Sequence, residues 1–587
     1  MIILMVPALF VSVGWFLYEP VSLLASTLLF ITTLLIVVFN KKFNWMQSKL
    51  FWIPLLIPIS YMISALVNSQ SFSSTVTGVY QRNFGLATLT ALSLLLVLST
   101  DLTISVRKFL NYGLLSTLII ANLYGYLQVF DADPLPWANP LNAVQLTLGN
   151  PNFASALFGI LSVIPLSRFI ESKSKSLKLT YFVLICSTIF LTYKTNSVQG
   201  IFILIIVFFL FIFLYTLGQK NIRSQIVVYL SLSVITLSIL LLISNFTKYS
   251  FKIIRDKLFF ETSVLQRLDY WETGLNIWSD NLLFGVGADQ FQRYAAIYRK
   301  PSQILREGNF TITDKAHSVL IDHLANGGLL AATLWVSLVI MVFYVSLKTF
   351  KIGVTNKLEF VTLLTVWSGY VFQSLISPDH ITLAAIGYIS AGLLIGQYVK
   401  TQRSVSSDNT KQSKNLFYIR AVASVLVLIS IATFSRVLIA NYQANQILKG
   451  EIGIGPVYLQ VIESWPDPKV TELIGIETVK NPNNCQLTNQ IADHLIKIND
   501  RSSQGWFMKA ICANYSKDFN SAIEFVENSL KFDPINPYYL ISKAKLEIAA
   551  NRLEDAQTSI ELAKRVNPNE PGLKSVENSI STLKLQP

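Results

Sequence analysis

The residues best suited to chemistry lie in one long polar stretch, residues 266–330, inside an otherwise apolar N-terminal region. Arg267 stands near the start of this stretch and His317 near its end. A planar guanidinium binds two phosphate oxygens at once, whereas an imidazole titrates near neutral pH and can accept a proton from a hydroxyl. Together the two side chains predict recognition of a phosphate group and activation of an acceptor hydroxyl.

The residues around Arg267 follow a helical period. Arg267, Trp271 and Trp278 stand at i, i+4 and i+11 and therefore share one helix face. Two tryptophans on one face favour a helix in the headgroup layer of a membrane, at the depth of lipid phosphates. The alternative is that Arg267 pairs locally with Asp269 or Glu272, and the local sequence leaves both interpretations open.

A second helix is predicted around the histidine. Asp314 has the type and position of an N-cap, which would place His317 on the apolar face of the helix. Gly327 and Gly328 would mark the junction with the following membrane span. A histidine whose hydrogen bonds are satisfied by backbone is the alternative to a general base. His380, in the short SPDH loop, is a second candidate base.

The composition predicts a membrane protein. Of the 587 residues, 52% are hydrophobic and 14% are charged, whereas a soluble domain has about 25% charged residues. The net charge of +13 arises mainly from short loops between apolar runs, so topology explains it better than a nucleic-acid partner does. We expect an all-α polytopic bundle of about 12–13 spans.

Apolar runs of spanning length occur at 2–17, 21–39, 51–67, 84–100, 109–130, 153–170, 177–195, 199–217, 226–246, 327–347, 358–376, 381–399 and 416–440. Basic residues concentrate in the loops after even-numbered runs, as at Arg107 and Lys173. The positive-inside rule therefore predicts a cytoplasmic N-terminus and an extracytoplasmic loop at 247–316. We expect a membrane domain at 1–440 and an extracytoplasmic helical domain at 441–587.

Two cations interrupt the otherwise uncharged outer loops. Arg82 and Lys194 are either solvated loop residues or join Arg267 around an anionic group at the outer face. Asp131 and Asp133 form a D-x-D, which in some glycosyltransferases holds a divalent metal against a diphosphate. Two carboxylates in a loop are common by chance, so we predict no metal site.

The C-terminal region has a 34-residue period. Trp506 aligns with Leu540, and Ala522 with Ala556. The pattern resembles a tetratricopeptide repeat, with two clear units and a degenerate third at 466–499. An unrelated pair of helical hairpins is the alternative. Cys485 and Cys512 lie in this region and could form a disulfide outside the cytoplasm.

Three fragments together resemble the O-antigen ligase and polymerase superfamily of polytopic glycosyltransferases. They are GNPNFA at 149–154, the R-x3-W…N-x3-G-x-G block from Arg267 to Gly287, and AHSVLIDHLANGGLL at 316–330. The resemblance implies a GT-C-like bundle that transfers a glycan from an undecaprenyl-diphosphate-type carrier to an acceptor hydroxyl, outside the cytoplasmic membrane and without a metal or other cofactor. The acceptor would be a lipid, a growing glycan or a protein.

The resemblance also implies residue roles. Arg267 would clamp the diphosphate and His317 would act as general base or as a further phosphate contact. The predicted contacts to diphosphate or glycan are Arg82, Lys194, Asn150, Asn152, Trp271 and His380. One departure is Val198 in TNSVQG, where the family often has an arginine; Lys194 or Arg82 is then expected to supply that charge.

Other functions fit the sequence, some of them glycan transferases and some not. A repeat-unit polymerase and a protein O-oligosaccharyltransferase use the same donor, and sequence alone does not separate them from a ligase. A polysaccharide transporter or flippase would place ionisable residues at the bilayer midplane and show internal helix repeats. A scaffold that recruits proteins through its repeats would need only one span.

Overall fold

The structure, a computed structural model, describes residues 21–39, 49–68, 70, 72–79, 82–101, 105–134, 142–217, 262–403, 413–453 and 455–584. These residues form helices joined by turns and contain no strand. Every predicted span within these ranges is helical; the spans at 2–17 and 226–246, and residues 247–261 of the outer loop, lie outside them. The prediction of an all-α polytopic protein is confirmed.

The N-terminal helices are apolar over most of their length. They are Val21–Phe39, Trp52–Val67, Leu86–Ser99, a run of Val106–Lys108, Phe109–Leu115 and Ser116–Val129, then Pro151–Leu161, Val163–Glu171, Lys175–Lys194, Val198–Leu217, Val319–Ile352, Lys357–Ile376, Ile381–Arg403 and Ser413–Leu448. By length and composition, six of the described helices could cross a membrane. The chain is therefore a multi-pass membrane protein.

Burial separates central from peripheral helices. Most of Ile381–Gln402 is buried inside the bundle, whereas most of Lys175–Lys194 is exposed. The exposed side chains of the latter include Leu179, Phe182 and Phe190. A continuous apolar surface of this kind is too large for a protein in water and is the expected surface of a helix in lipid.

The helix that follows the polar stretch is broken at Gly328. Val319–Ile352 contains a non-helical residue there, with φ 67° and ψ −167°, a conformation that only glycine adopts readily. The turn at 282–287 lies against the break: the N–H groups of Val286 and Gly287 donate to the carbonyls of Ala325 and Asn326 at 3.0 and 2.9 Å. The turn thus satisfies backbone groups that the break removes from the helix ladder.

The described part of the outer loop contains Thr262–Asp280, Phe291–Ala295, Ala296–Tyr298 and Pro301–Glu307. The first of these is the predicted helix that carries Arg267, Trp271 and Trp278. It packs on the first part of the broken helix Val319–Ile352. The loop is thereby a folded unit resting on the end of the membrane bundle.

The C-terminal helices are Gly455–Ser464, Pro468–Thr478, Pro482–Asn484, Cys485–Ile498, Ser503–Tyr515, Phe519–Phe532, Pro537–Ala549, Leu553–Val566 and Leu573–Lys584. Two successive antiparallel pairs begin at Ser503 and at Pro537, which agrees with the 34-residue period. Pro468–Thr478 and Cys485–Ile498 occupy the position of the degenerate unit. Assignment of these pairs as tetratricopeptide repeats, and the domain boundary at 440, stay predictions; the helix Ser413–Leu448 continues through residue 440.

The structure pairs Cys485 with Cys512, which join two neighbouring C-terminal helices at a Cα–Cα distance of 5.4 Å. Cys186 is a free thiol in Lys175–Lys194. Because disulfides persist in oxidising compartments and not in the cytosol, the pair predicts that the C-terminal region lies outside the cytoplasm. We expect denatured membranes to show one maleimide-reactive thiol before reduction and three after it. Three reactive thiols without reduction would place this region in a reducing compartment, and a Cys485→Ser/Cys512→Ser variant with one thiol in both conditions is the control.

Candidate functional site

The loop helix Thr262–Asp280 brings Arg267 close to His317. A Cβ added at the buried Gly274 would lie 2.5 Å from Ile321 Cγ2 and 3.2 Å from Ala316 Cβ, so the helix lies directly on the segment that carries the histidine. Trp271 Nε1 donates to the carbonyl oxygen of His317 at 3.4 Å. Trp271 thus contacts the segment that carries His317, while Arg267, one turn earlier on the same face, reaches Gln199.

Arg267 is held by a buried amide. Its Nη2 donates to Gln199 Oε1 at 2.8 Å, and Gln199 Nε2 donates to Gln373 Oε1 at 2.6 Å. This chain of side chains connects the loop helix to Val198–Leu217 and Lys357–Ile376. The carboxylates proposed as local partners of Arg267 have other cations: Asp269 pairs with Arg306, and Glu272 with Lys300.

His317 lies in a turn before the helix and not on it. The helix begins at Val319 with Ser318 as its N-cap, and His317 has a left-handed backbone with φ 56°. The prediction that Asp314 caps this helix is wrong, because its carboxylate binds Arg82 instead. The ring of Tyr270 lies 5.1 Å from the imidazole ring and covers it from the loop helix.

Arg82 joins the same group of residues. Its Nε and Nη2 donate to Asp314 Oδ2 and Oδ1 at 2.5 and 3.2 Å, a bidentate ion pair three residues from His317. The guanidinium lies 5.9 Å from the centroid of the Phe153 ring. That ring in turn lies 4.8 Å from the imidazole of His380. The structure therefore brings the second candidate base to the same side as Arg82.

The asparagines of GNPNFA act within the scaffold. Asn150 caps Pro151–Leu161 by accepting from the Asn152 N–H at 2.8 Å. Asn152 Oδ1 accepts from Ser197 Oγ at 2.7 Å. Because Gln199 lies two residues beyond Ser197, these contacts fix the segment that holds Arg267. The contacts of Asn150 and Asn152 therefore support a positioning role for both asparagines.

Lys194 and Asp133 of the D-x-D contact residues other than Arg82, Arg267 and His317. The ammonium of Lys194 lies over the Phe190 ring of its own helix, 5.7 Å from the centroid, and the Lys194 side chain is exposed. Asp133 accepts from Tyr124 Oη at 2.8 Å and Gln128 Nε2 at 2.9 Å. Its carboxylate thus fastens the loop to the preceding helix.

Sequence reasoning missed a buried polar layer beneath these residues. Lys315 and Asp289 form a buried ion pair, and Asp289 Oδ2 also accepts from the backbone N–H of Val79 at 2.8 Å. Tyr61 Oη lies 2.7 Å from His323 Nδ1. Asp289, Lys315 and the Tyr61–His323 pair line a cavity of about 30 Å³. Asp289 and Lys315 both stand in the polar stretch at residues 266–330, but nothing local marks them as partners.

The charges around His317 set its protonation. Burial, together with the smaller effects of the cations Arg82 and Arg267, lowers the pKa of His317 to about 4 against the opposing effect of Asp314. Burial alone would raise the pKa of Asp314, but the charge and hydrogen bonds of Arg82 hold it at about 2. At neutral pH the site therefore contains a neutral imidazole, an ionised Asp314 and two guanidinium groups. Burial and Arg82 likewise lower the pKa of His380 to about 3.

The Arg82–Asp314 pair is mostly buried, with 23% and 29% of the two side chains exposed. Arg82→Gln leaves a poorly solvated carboxylate, and we expect it to lower the free energy of unfolding in detergent by roughly 1–3 kcal/mol. Adding Asp314→Asn removes the orphaned charge and recovers part of this loss. Lys480→Gln, in the exposed pair with Glu477, is the matched control and changes stability little. A loss for Arg82→Gln no greater than for this control would contradict a structural role for the pair.

A comparison with protein families gives one match, between residues 180–336 and the family model described as O-Antigen ligase. A search of curated proteins finds no match to the chain. The matched segment contains Gln199, Arg267, Trp271, Lys315 and His317, and so covers the loop helix and the turn that form the site. Residues 180–336 are therefore an O-antigen ligase domain.

Proposed function

We propose that this protein is a glycosyltransferase of cell-surface polysaccharide assembly that uses a polyprenyl-diphosphate glycan as donor. Family membership supports a glycosyltransferase-like membrane enzyme. The observation that carries the finer proposal is the packing of the Arg267 helix on the turn of His317. A cation and a neutral imidazole on adjacent elements are the two groups that this transfer needs.

In the proposed reaction the acceptor hydroxyl attacks the anomeric carbon of the glycan. A new C–O bond forms as the bond from that carbon to the diphosphate oxygen breaks, with inversion at carbon. The hydroxyl proton passes to His317, and the electron pair of the broken bond leaves on the diphosphate. Arg267, with Arg82 nearby, stabilises the charge that develops on the leaving group.

We propose that the reaction takes place at the outer face of the cytoplasmic membrane. The disulfide between Cys485 and Cys512 supports an oxidising compartment for the C-terminal region. Arg299 of the loop pairs with Asp533 of that region, so the loop and the C-terminal region lie on one side. The distribution of basic loops supports the same orientation, with the N-terminus in the cytoplasm.

The acceptor is a lipid core, a growing polysaccharide or a protein, and each uses the same transfer chemistry. The C-terminal helical pairs favour an acceptor or partner protein held near the site, by analogy with other helical repeats. Mass spectrometry of the surface glycoconjugates lost on deletion of the gene would identify the acceptor.

The proposed roles of Arg267 and His317 predict the behaviour of two variants. Arg267→Lys loses the bidentate fork and His317→Ala loses the base, and each reduces transfer by about 10²-fold or more while membrane insertion is retained. The measurement is transfer by purified protein from polyprenyl-diphosphate glycan extracted from the producing cells. Arg565→Lys and His494→Ala, in the C-terminal region, are matched controls that keep full activity. Full activity of either site variant would refute this site.

The depressed pKa of His317 predicts an unusual pH profile. Since kcat/KM reports groups of the free enzyme, its acid limb should fall near the His317 pKa of about 4, below the ordinary histidine pKa of 6.5. Arg82→Gln removes a cation and leaves Asp314 uncompensated, so the pKa of His317 rises and the limb moves to higher pH. An acid limb of the wild-type protein at pH 6.5 would argue against His317 as the base. So would an acid limb whose pH does not change in Arg82→Gln. His494→Ala is the control, with an unshifted limb.

A further inference from the structure

The C-terminal region is docked on the outer loop by specific contacts. Arg299 Nη2 donates to both carboxylate oxygens of Asp533 at 2.6 Å, and the two side chains are 1% and 2% exposed. Asn536 Nδ2 donates to the Asn309 carbonyl at 3.1 Å, and the ring of Phe310 lies 5.2 Å from that of Tyr538. A fully buried ion pair tolerates little displacement, because separating its partners would strand a charge. The docking therefore has a defined geometry.

Beside this interface lies an open cleft with a volume of about 90 Å³. One wall comes from residues 74–79 and from residues 290–296 of the outer loop. The opposite wall comes from the C-terminal region, at residues 468–472 and 499–504. Clefts at the junction of two structural units are frequent ligand sites.

The lining of the cleft is polar but largely charge-compensated. Its amide side chains are those of Gln290, Gln292, Asn499 and Gln504. Four of the five charged side chains that line it form ion pairs: Arg293 with Asp500 at 2.6 Å, Lys469 with Glu472 at 2.8 Å, and Asp533 with Arg299. The guanidinium of Arg501 lies 4.2 Å from the centroid of the Tyr294 ring.

Such a surface favours one class of ligand. An amide carries two N–H donors and a carbonyl acceptor, so it can bind the hydroxyl groups of a sugar even where one of these is engaged within the protein, as Gln292 Nε2 is with the carbonyl of Ile312. A phosphate-rich ligand would instead require cations that are not already paired. The chemistry of the lining therefore fits an uncharged or weakly charged oligosaccharide.

Contacts between side chains and backbone link the cleft to the proposed transfer site. Val79 lines the cleft, and its N–H donates to Asp289. Asp289 also pairs with Lys315, two residues before His317. Gln290 adjoins Asp289 and lines the cleft. A glycan whose reducing end is at Arg267 and His317 would thus leave the membrane surface beside this wall.

We propose that the cleft between the outer loop and the C-terminal region binds the oligosaccharide portion of a substrate beyond the sugar that reacts. This inference rests on the proposed function and extends it, since the C-terminal helices would then contribute directly to glycan recognition. The glycan can belong to the lipid-linked donor or to a saccharide acceptor, and both present the same hydroxyl groups.

Photo-crosslinking in the full-length protein tests the occupant. A benzophenone amino acid replaces Gln504 in the His317→Ala background, so that bound donor is not consumed. The probes are polyprenyl-diphosphate glycan from the producing cells, glycan-free polyprenyl diphosphate, and the free oligosaccharide released by mild acid. We expect an adduct with the lipid-linked glycan, the free oligosaccharide or both, none with glycan-free lipid, and none from the same replacement at Gln557, which does not line the cleft. An adduct with the lipid-linked glycan identifies a donor subsite, and an adduct with the free oligosaccharide identifies an acceptor subsite.

Kinetics give a second, independent readout. Gln504→Ala should raise KM about 10-fold for a donor with a multi-unit glycan and leave kcat nearly unchanged, because the lost contacts are the same in the ground and transition states. Gln557→Ala should change neither constant. Absence of a glycan adduct together with unchanged KM would overturn the assignment of the cleft, as would an adduct with glycan-free lipid alone. A glycan adduct in a His317→Ala protein that retains full activity would instead refute the proposed catalytic role and leave the cleft standing.

Discussion

The cost of burying charge next to a membrane organises the outer end of this protein. Arg82 pairs with Asp314 and Lys315 pairs with Asp289, so two consecutive residues of one turn are each anchored to a different segment. An unpaired ion in this environment would cost several kcal/mol, which makes the two pairings difficult to exchange or lose. His317 follows two residues after Lys315, and its position is therefore a consequence of where the ion pairs lie.

Backbone polarity imposes a second constraint at the same place. A helix broken at Gly328 exposes N–H and C=O groups that lipid cannot satisfy, and the turn at 282–287 satisfies several of them. The two glycine-containing motifs, from Asn281 to Gly287 and at 327–328, are therefore the two sides of one contact. The chain between the two motifs must leave the turn at 282–287 and come back to the break at Gly328, and it does so through the short helices Phe291–Ala295, Ala296–Tyr298 and Pro301–Glu307.

The fold was largely predictable from the sequence and the site only in part. Apolar length and helical period depend on neighbouring residues alone, so the spans, the Arg267 helix and the C-terminal helix pairs could be predicted. The partner of Asp314 could not, because a cap and a distant arginine both suit a carboxylate and only the tertiary structure selects between them. The same holds for Gln199, whose contact with Arg267 depends on two helices meeting. Val198 indicated a missing cation, yet its neighbour Gln199 is the residue that reaches the guanidinium.

The electrostatics of the site contain an apparent conflict. Arg82 and Arg267 suit a diphosphate, but their charges also lower the pKa of His317 and so weaken it as a base. In the proposed reaction the donor resolves this conflict, because its diphosphate brings negative charge to the same guanidinium groups. The larger effect of burial on the pKa of His317 remains, but the part that comes from the two arginines is offset when the donor is bound, and the imidazole becomes a stronger base at that stage. An empty site would hold a weak base, which limits unproductive proton transfer before the donor arrives. Base strength would thus be coupled to donor occupancy through charge alone, with no conformational change required.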